Sequence, residues 1–291
     1  MPTVLITGAS TGIGRTTALR LAGSGWTVLA GVRKTADGEA LRTEGGERVM
    51  PIEIDVRDRA QIARAAERVA ELTGGPARGG AGGGSSSPGR LDALVNNAGI
   101  GIGGPLELIS EESLRAQFDV NVFGQVAVTR ALLPSLRAAR GRIVIVSSVG
   151  GRVALPFSAP YGASKHALEA IGDALRGELH SSHVGVSLIE PGSVRTPIWG
   201  KSREQAGQVS IPPELQREYG HLPAAFEKTL HQTEQRGVAP ELVAETIEQA
   251  LTARRPRTRY LVGRDARAMV LGKALLPDRV FDLIVRRAMG V

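Results

Sequence analysis

Runs of four to seven mainly apolar residues recur at 4–7, 26–32, 49–54, 91–95, 141–147 and 184–189. A strand with one wet face alternates apolar and polar residues; a run without alternation is buried on both faces. Stretches of helical spacing lie between these runs, at 15–22, 58–72, 111–136 and 160–179. Such alternation predicts an α/β fold: a parallel, doubly wound sheet of Rossmann type, covered by helices on both faces in three layers. The ligand crevice of such a sheet opens at the carboxyl ends of the strands, where the strand order reverses. Pro51 interrupts the third run and suits a strand end or an irregular position. Asp58 is placed to cap the helix after it, and Pro160 to open the helix that follows the fifth run.

The 291 residues suit one α/β domain spanning 1–291. Gly and Ser dominate 74–89, which cannot bury enough apolar surface to offset its ordering entropy. The same alternation resumes directly afterwards, so this stretch reads as a flexible insertion rather than a domain linker. Beyond Thr196 the pattern loosens into a polar stretch, 197–236. A clean helix (240–252), a short strand (260–262) and a helical tail (264–291) of apolar residues with Arg between them follow. The chain has no cysteine, hence no disulfide or thiolate chemistry, and fits a reducing, cytoplasmic setting. The first strand begins too early to leave room for a leader, and no apolar run reaches the ~18 residues of a membrane span. The net charge of +7 has one dense cluster, Arg254-Arg255-Pro256-Arg257-Thr258-Arg259. Without an aromatic-interleaved basic stripe, this points to an anionic ligand rather than nucleic acid.

Three motifs carry chemistry. Thr7-Gly8-Ala9-Ser10-Thr11-Gly12-Ile13-Gly14 joins the first strand to the first helix. Glycines there let backbone approach a pyrophosphate, and the helix N-terminus favours its charge. Asn96-Asn97-Ala98-Gly99 ends the fourth strand. Tyr161 and Lys165 lie four apart, on one helix face. At ~4 Å and an effective dielectric of ~20, an ammonium stabilises a phenolate by ~4 kcal/mol, enough to bring a tyrosine from ~10 towards ~7. His166, His180 and His183 have no metal-ligand company, and no metal is expected.

Together, in this order, the motifs resemble the short-chain dehydrogenase/reductase family over roughly residues 3–200. The resemblance implies a nicotinamide cofactor and hydride transfer at carbonyl or alcohol carbons. The family's acid/base tyrosine falls on Tyr161 and its lysine on Lys165. Its serine falls on Ser148, and its helix asparagine on Asn121. By that likeness Ser148 holds the substrate oxygen and Tyr161 exchanges a proton with it. Lys165 lowers the tyrosine pKa and binds the nicotinamide ribose, and Asn121 helps hold a water that relays protons through Lys165. The cofactor would lie against Gly8, Ser10, Thr11, Gly12, Ile13, Gly14, Asn97, Ala98 and Gly99. Asp55, free of the capping role that Asp58 takes, and Val56 would sit near the adenine. Pro191, Gly192, Val194 and Thr196 would sit at the carboxamide.

NAD-preferring relatives end strand two on an acid that binds the ribose diol; here Val32 stands there, followed by Arg33 and Lys34. A guanidinium pairs with a 2′-phosphate, so NADP(H) is the expected cofactor, with NAD(H) the alternative. Leu155, Pro156, Phe157 and Trp199 would give the substrate an apolar wall. The long tail resembles members acting on hydrophobic alcohols and ketones, such as hydroxysteroid and retinol dehydrogenases. A 3-oxoacyl thioester reductase is the second reading, and a cofactor-binding regulator without chemistry the third. Family likeness implies a homodimer or homotetramer. The tail has three candidate roles: lining the lid, packing in the oligomer, or touching a membrane surface.

Overall fold

A computed structural model describes residues 1–74, 88–196 and 211–289. Seven parallel strands stand in the order β3-β2-β1-β4-β5-β6-β7. They are β1 (Thr3–Ile6), β2 (Thr27–Val32), β3 (Val49–Glu53), β4 (Ala93–Asn96), β5 (Arg142–Val146), β6 (Gly185–Pro191) and β7 (Arg259–Val262). Order reverses between β1 and β4, which are paired through Val4–Ala93, Leu5–Leu94 and Ile6–Val95. The helices are α1 (Gly12–Gly23), α2 (Thr35–Gly45), α3 (Arg59–Thr73), α4 (Glu111–Phe118), α5 (Gln125–Ala139) and α6 (Ala159–Glu178). After them come α7 (Leu222–Arg236), α8 (Pro240–Thr252), α9 (Arg264–Leu275) and α10 (Asp278–Met289).

The mainly apolar runs are what a sheet covered on both sides needs. On β1, Val4 and Ile6 enter one core, with Ala18 and Leu21 of α1 and Val243 and Ile247 of α8. Leu5, between them, enters the other, with Ile62 of α3, Leu132 and Leu136 of α5 and Leu168 of α6. The result is the expected three-layer Rossmann-type fold, extended at its C-terminus by α9 and α10. Pro51 sits in edge strand β3, opposite Ala30, where a residue without an N–H interrupts no ladder on the outer side. Asp58 caps α3 by accepting hydrogen bonds from Ala60 N and Gln61 N.

Two features depart from the sequence pattern. α2 went unsignalled because among its eleven residues only Gly38 and Leu41 are buried. Glycine is required at 38, since a Cβ there would lie 2.7 Å from Pro51 Cβ. The long helical region at 111–136 is two helices joined by a π-helical turn, Asp119–Gly124. At that turn the chain runs so close to the segment after β3 that a Cβ on Gly124 would meet Val56 O at 2.8 Å. Of the Gly/Ser-rich insertion, residues 75–87 lie outside the described residues. So do 197–210 of the stretch expected to cover the substrate, Trp199 among them. No described helix is long and apolar enough to cross a membrane.

Candidate active site

A cleft of about 370 Å³ opens at the carboxyl ends of the strands, over the switch between β1 and β4. Its floor at one end is the glycine loop. Gly8 and Gly12 both adopt positive φ, 65° and 56°, which side-chain-bearing residues rarely take. A Cβ on Gly8 would lie 2.9 Å from Ala98 Cα, and one on Gly14 would lie 2.3 Å from Gly8 O. Asn97 clamps this loop: its Nδ2 donates to Thr7 O (2.9 Å) and Gly8 O (3.0 Å). The Thr7 hydroxyl in turn accepts from the backbone N of Asn97 and Ala98, both at 3.0 Å. α1 begins without a side-chain cap on its N-terminal N–H groups, and Ser10, Thr11, Gly12 and Ile13 line the cleft beside them. Gly14 lies beneath the loop, outside the lining.

At the far end of the cleft stand Ser147, Ser148, Tyr161 and Lys165. Ser148 caps the turn after β5, its Oγ accepting from Gly150 N at 3.0 Å. Gly150 lets that turn lie against the tyrosine, since a Cβ there would be 3.2 Å from Tyr161 Cε1. Lys165 is buried and its Nζ donates to Val146 O at 2.9 Å, 5.7 Å from the centre of the Tyr161 ring. These positions correct the expected tyrosine pKa. Burial pushes the Tyr161 phenol above its ordinary value, and the hydrogen bond with Ser148 only partly opposes this. The same burial brings Lys165 down to about 8, against a smaller upward pull from Glu169. A dry site strengthens the Lys–Tyr attraction, but it penalises both charged forms as well, and here the penalty is larger.

Asn121 does not reach the cleft. It is fully buried in the π-turn, where Oδ1 accepts from Ile100 N (2.9 Å) and Nδ2 donates to Ile100 O (3.0 Å) and Ser164 Oγ (3.1 Å). Ser164 Oγ passes the link to Tyr161 O at 2.7 Å. The asparagine side chain therefore ties the loop after β4 to the helix that carries Tyr161. Gln125 adds a second tie, donating to Ala98 O at 2.8 Å. Nothing in the sequence motifs singled out Gln125 or Ser164.

The opposite end is lined by Val32, Arg33, Asp55, Val56 and Arg57. The sequence left Asp55 free, but the fold does not: Arg57 grips its carboxylate through Nε (3.1 Å) and Nη2 (2.8 Å), and Arg57 N adds a third bond at 2.9 Å. This pairing holds the Asp55 carboxyl below its usual range. Lys34 forms the N-cap position of α2 and does not line the cleft. Asn97, Ala98, Gly99, Pro191, Gly192, Val194 and Thr196 also line the cleft. Asp265 of α9 holds the 191–193 segment, accepting from Ser193 N at 2.7 Å. A Cβ on Gly192 would be 2.4 Å from that carboxylate. No group of three or more His, Cys, Asp and Glu that could hold a metal occurs among the described residues. His166 is exposed, its Nδ1 2.9 Å from Gly162 O.

The family model for short chain dehydrogenases matches residues 2–207, and the chain belongs to that family of oxidoreductases acting at alcohol and carbonyl carbons. Within it, the chain resembles the retinol and hydroxysteroid dehydrogenases. It is 36% identical over 293 residues to retinol dehydrogenase 5 of Mus musculus, covering 97% of this chain and 87% of that protein. Against 17-beta-hydroxysteroid dehydrogenase type 6 of Bos taurus it is 37% identical over 295 residues (98% and 88%). Against the NADPH-dependent 3-dehydrocapnine reductase of Ornithobacterium rhinotracheale it is 33% identical over 285 residues (96% and 94%). Among solved structures, a short chain dehydrogenase from Burkholderia cenocepacia J2315 in complex with NADP superposes with a TM-score of 0.71 at 27% identity, covering 100% of this chain and 98% of that one. One from Burkholderia phymatum in complex with NAD gives 0.75 at 26%, covering 93% and 92%.

Proposed function

We propose that the protein is an NADP(H)-dependent oxidoreductase acting on a carbonyl or secondary alcohol of a hydrophobic substrate. One observation carries this reading: the glycine loop, Ser148, Tyr161 and Lys165 line a single continuous cleft. The cleft suits a dinucleotide. The uncapped start of α1 and the two positive-φ glycines leave backbone N–H groups for a pyrophosphate. Ser147 Oγ, buried without a partner, is a further polar atom available near the reaction end. Bound there, the nicotinamide supplies the hydride. Ser148 would donate a hydrogen bond to the substrate oxygen and orient it. Tyr161, protonated at neutral pH, would give its proton to that oxygen in reduction and take it back in oxidation. Lys165, mostly cationic at pH 7, would offset the negative charge the phenol then carries.

Arg33 in the lining, with Val32 in place of an acid, supports NADP(H), as does the name of the NADPH-dependent relative. The NAD-bound neighbour keeps NAD(H) as the alternative. A hydrophobic substrate is supported by the names of the retinol and hydroxysteroid relatives; Phe157, expected in an apolar wall, packs edge-on against Tyr219 at 6.4 Å and does not line the cleft. The test is turnover of a panel of lipophilic ketones and alcohols with NADPH and with NADH, for the wild type and Tyr161→Phe. The reading predicts higher kcat/KM with NADPH. It also predicts a loss of ~10²–10⁴ in kcat for the variant, with cofactor affinity retained. A variant that turns over like the wild type would overturn the role of Tyr161.

A further inference from the structure

Directly behind Lys165 lies a cluster of charge that the proton-transfer chemistry does not use. Glu169, one turn further along α6, is 6% exposed, and Glu190, near the end of β6, is fully buried. Both bind one guanidinium: Arg259 Nε of β7 lies 3.0 Å from Glu169 Oε2 and 3.1 Å from Glu190 Oε1. Arg152, on the turn that follows Ser148, reaches Glu190 Oε1 at 3.1 Å. Arg259 Nη2 also holds Asp173 at 2.6 Å. The second oxygens, Glu169 Oε1 and Glu190 Oε2, are buried without any donor. Because both carboxyl groups meet at the one Arg259 Nε, they lie side by side.

Two buried acceptors side by side lack only a proton between them. Asp173 has a cation of its own in Arg176 of α6, at 2.6 Å. The two buried glutamates are left to crowd around Arg259 Nε, and like charges this close disfavour ionising both. We propose that Glu169 and Glu190 share one proton and act as positioning residues for the reaction. Through it they hold three segments in one geometry: the Lys165 turn of α6, the turn carrying Ser148, and the strand end leading into Pro191 and Gly192. The charged groups facing the pair are Lys165 and Asp173 from α6, Arg152 from the turn after β5, and Arg259 from β7. The neutral neighbour is Ser147, packed with Glu169 around Gly151. Burial and the neighbouring Glu169 raise Glu190 to about 7, so the proton would leave near neutral pH. Its loss would set an added negative charge beside Lys165 and raise the lysine pKa.

The link to catalysis rests on the proposed function, so the test has arms that need no turnover. A carboxyl whose folded pKa lies above its unfolded value stabilises fully below the unfolded pKa, ~4.3, and loses that contribution as pH rises through the folded value. The thermal midpoint of the wild type should therefore fall from pH ~4.5 to ~7 and level off above, and Glu190→Gln, a permanently neutral isostere, should flatten that fall. In the infrared difference spectrum of the wild type between pH 6 and pH 8, a protonated-carboxyl band should disappear. This arm needs no variant to fold. With an active substrate in hand, Glu169→Gln should move the Lys165 limb of the kcat/KM profile down by ~1 pH unit, a change that loss of packing alone would not produce. A wild-type spectrum without the band, or a Glu190→Gln variant that keeps the wild-type slope, overturns the shared proton. A flat activity panel with both stability arms as expected would instead overturn the proposed function and leave the pair standing.

Discussion

Gly14→Ala separates two effects of opposite sign. Gly14 is the third residue of α1, and alanine is favoured over glycine inside a helix by ~1 kcal/mol. Against this, the added methyl would lie 2.3 Å from Gly8 O and 2.4 Å from Asn97 Nδ2. Ordinary contact begins near 3.4 Å, so both must retreat by about 1 Å. Gly8 O is backbone in a loop already fixed by its positive φ, and Asn97 is the clamp on that carbonyl. Overpacking costs ~1–3 kcal/mol, and with two fixed atoms displaced the upper half of that range, ~2–3 kcal/mol, applies. Less the ~1 kcal/mol helix preference, the net loss is ~1–2 kcal/mol. At ~2 °C per kcal/mol for a chain of this size, the thermal midpoint should drop by ~2–4 °C. The cofactor should suffer more, because the atoms that shift form the phosphate cradle proposed above; NADPH affinity, followed by fluorescence titration, should weaken at least ~10-fold, or ~1.4 kcal/mol. Gly23→Ala is the control. It ends the same helix, and its Cβ would meet nothing within 4 Å. That variant should be neutral or stabilised by up to ~1 kcal/mol, with NADPH binding unchanged. If Gly14→Ala melted and bound NADPH like the wild type, the packing account of the loop would be wrong.

Arg33→Ala should lower kcat/KM for NADPH at least ~10-fold while leaving NADH within ~2-fold, because only the 2′-phosphate loses a charge-assisted partner. Lys165 has a folded pKa, about 8, below its ordinary 10.5. The unfolded chain therefore binds more protons between those values, and stability should rise over that window. Urea midpoints at pH 7.5 and 10 should show the wild type gaining on Lys165→Met; an unchanged gap would contradict the lowered value. Asp265→Ala removes the acceptor for Ser193 N and should cost ~1–2 kcal/mol in urea unfolding. It should also weaken NADPH binding by a few-fold, since the 191–193 segment lines the cleft.

Much of this architecture was legible in the sequence because burial on two faces leaves a mark. The runs at 4–7 and 141–147 have no polar alternation, and the strands there are inner ones. The glycine loop was equally legible, since a strand, a turn and a helix had to meet there. α2 was not, because one leucine anchors it and its other buried position is a glycine. The π-turn at Asp119–Gly124 has no periodic signature; only contact with Val56, distant in sequence, marks its close packing. At the site, residue types were readable but their commitments were not. Asp55 was placed beside the cleft correctly, yet only the fold shows that Arg57 already holds it. Arg259 read as one charge in a basic cluster; in space it neutralises carboxylates from two other elements.

The dependence of the cleft on Asp265 and Arg259 has a consequence for biosynthesis. A chain emerging N-terminus first has made the glycine loop, Ser148, Tyr161 and Lys165 by residue 165. Glu169, Glu190 and the segment from Pro191 to Ser193 are not yet made, and once made they still lack the Arg259 guanidinium and the Asp265 carboxylate that fasten them. Both arrive only with β7 and the start of α9, nearly a hundred residues later. At ~5–20 residues per second, that is an interval of ~5–20 s in which the reaction end is written but not yet fastened. Chains released within that interval would carry every motif of the family and still lack the fixed geometry that the motifs require.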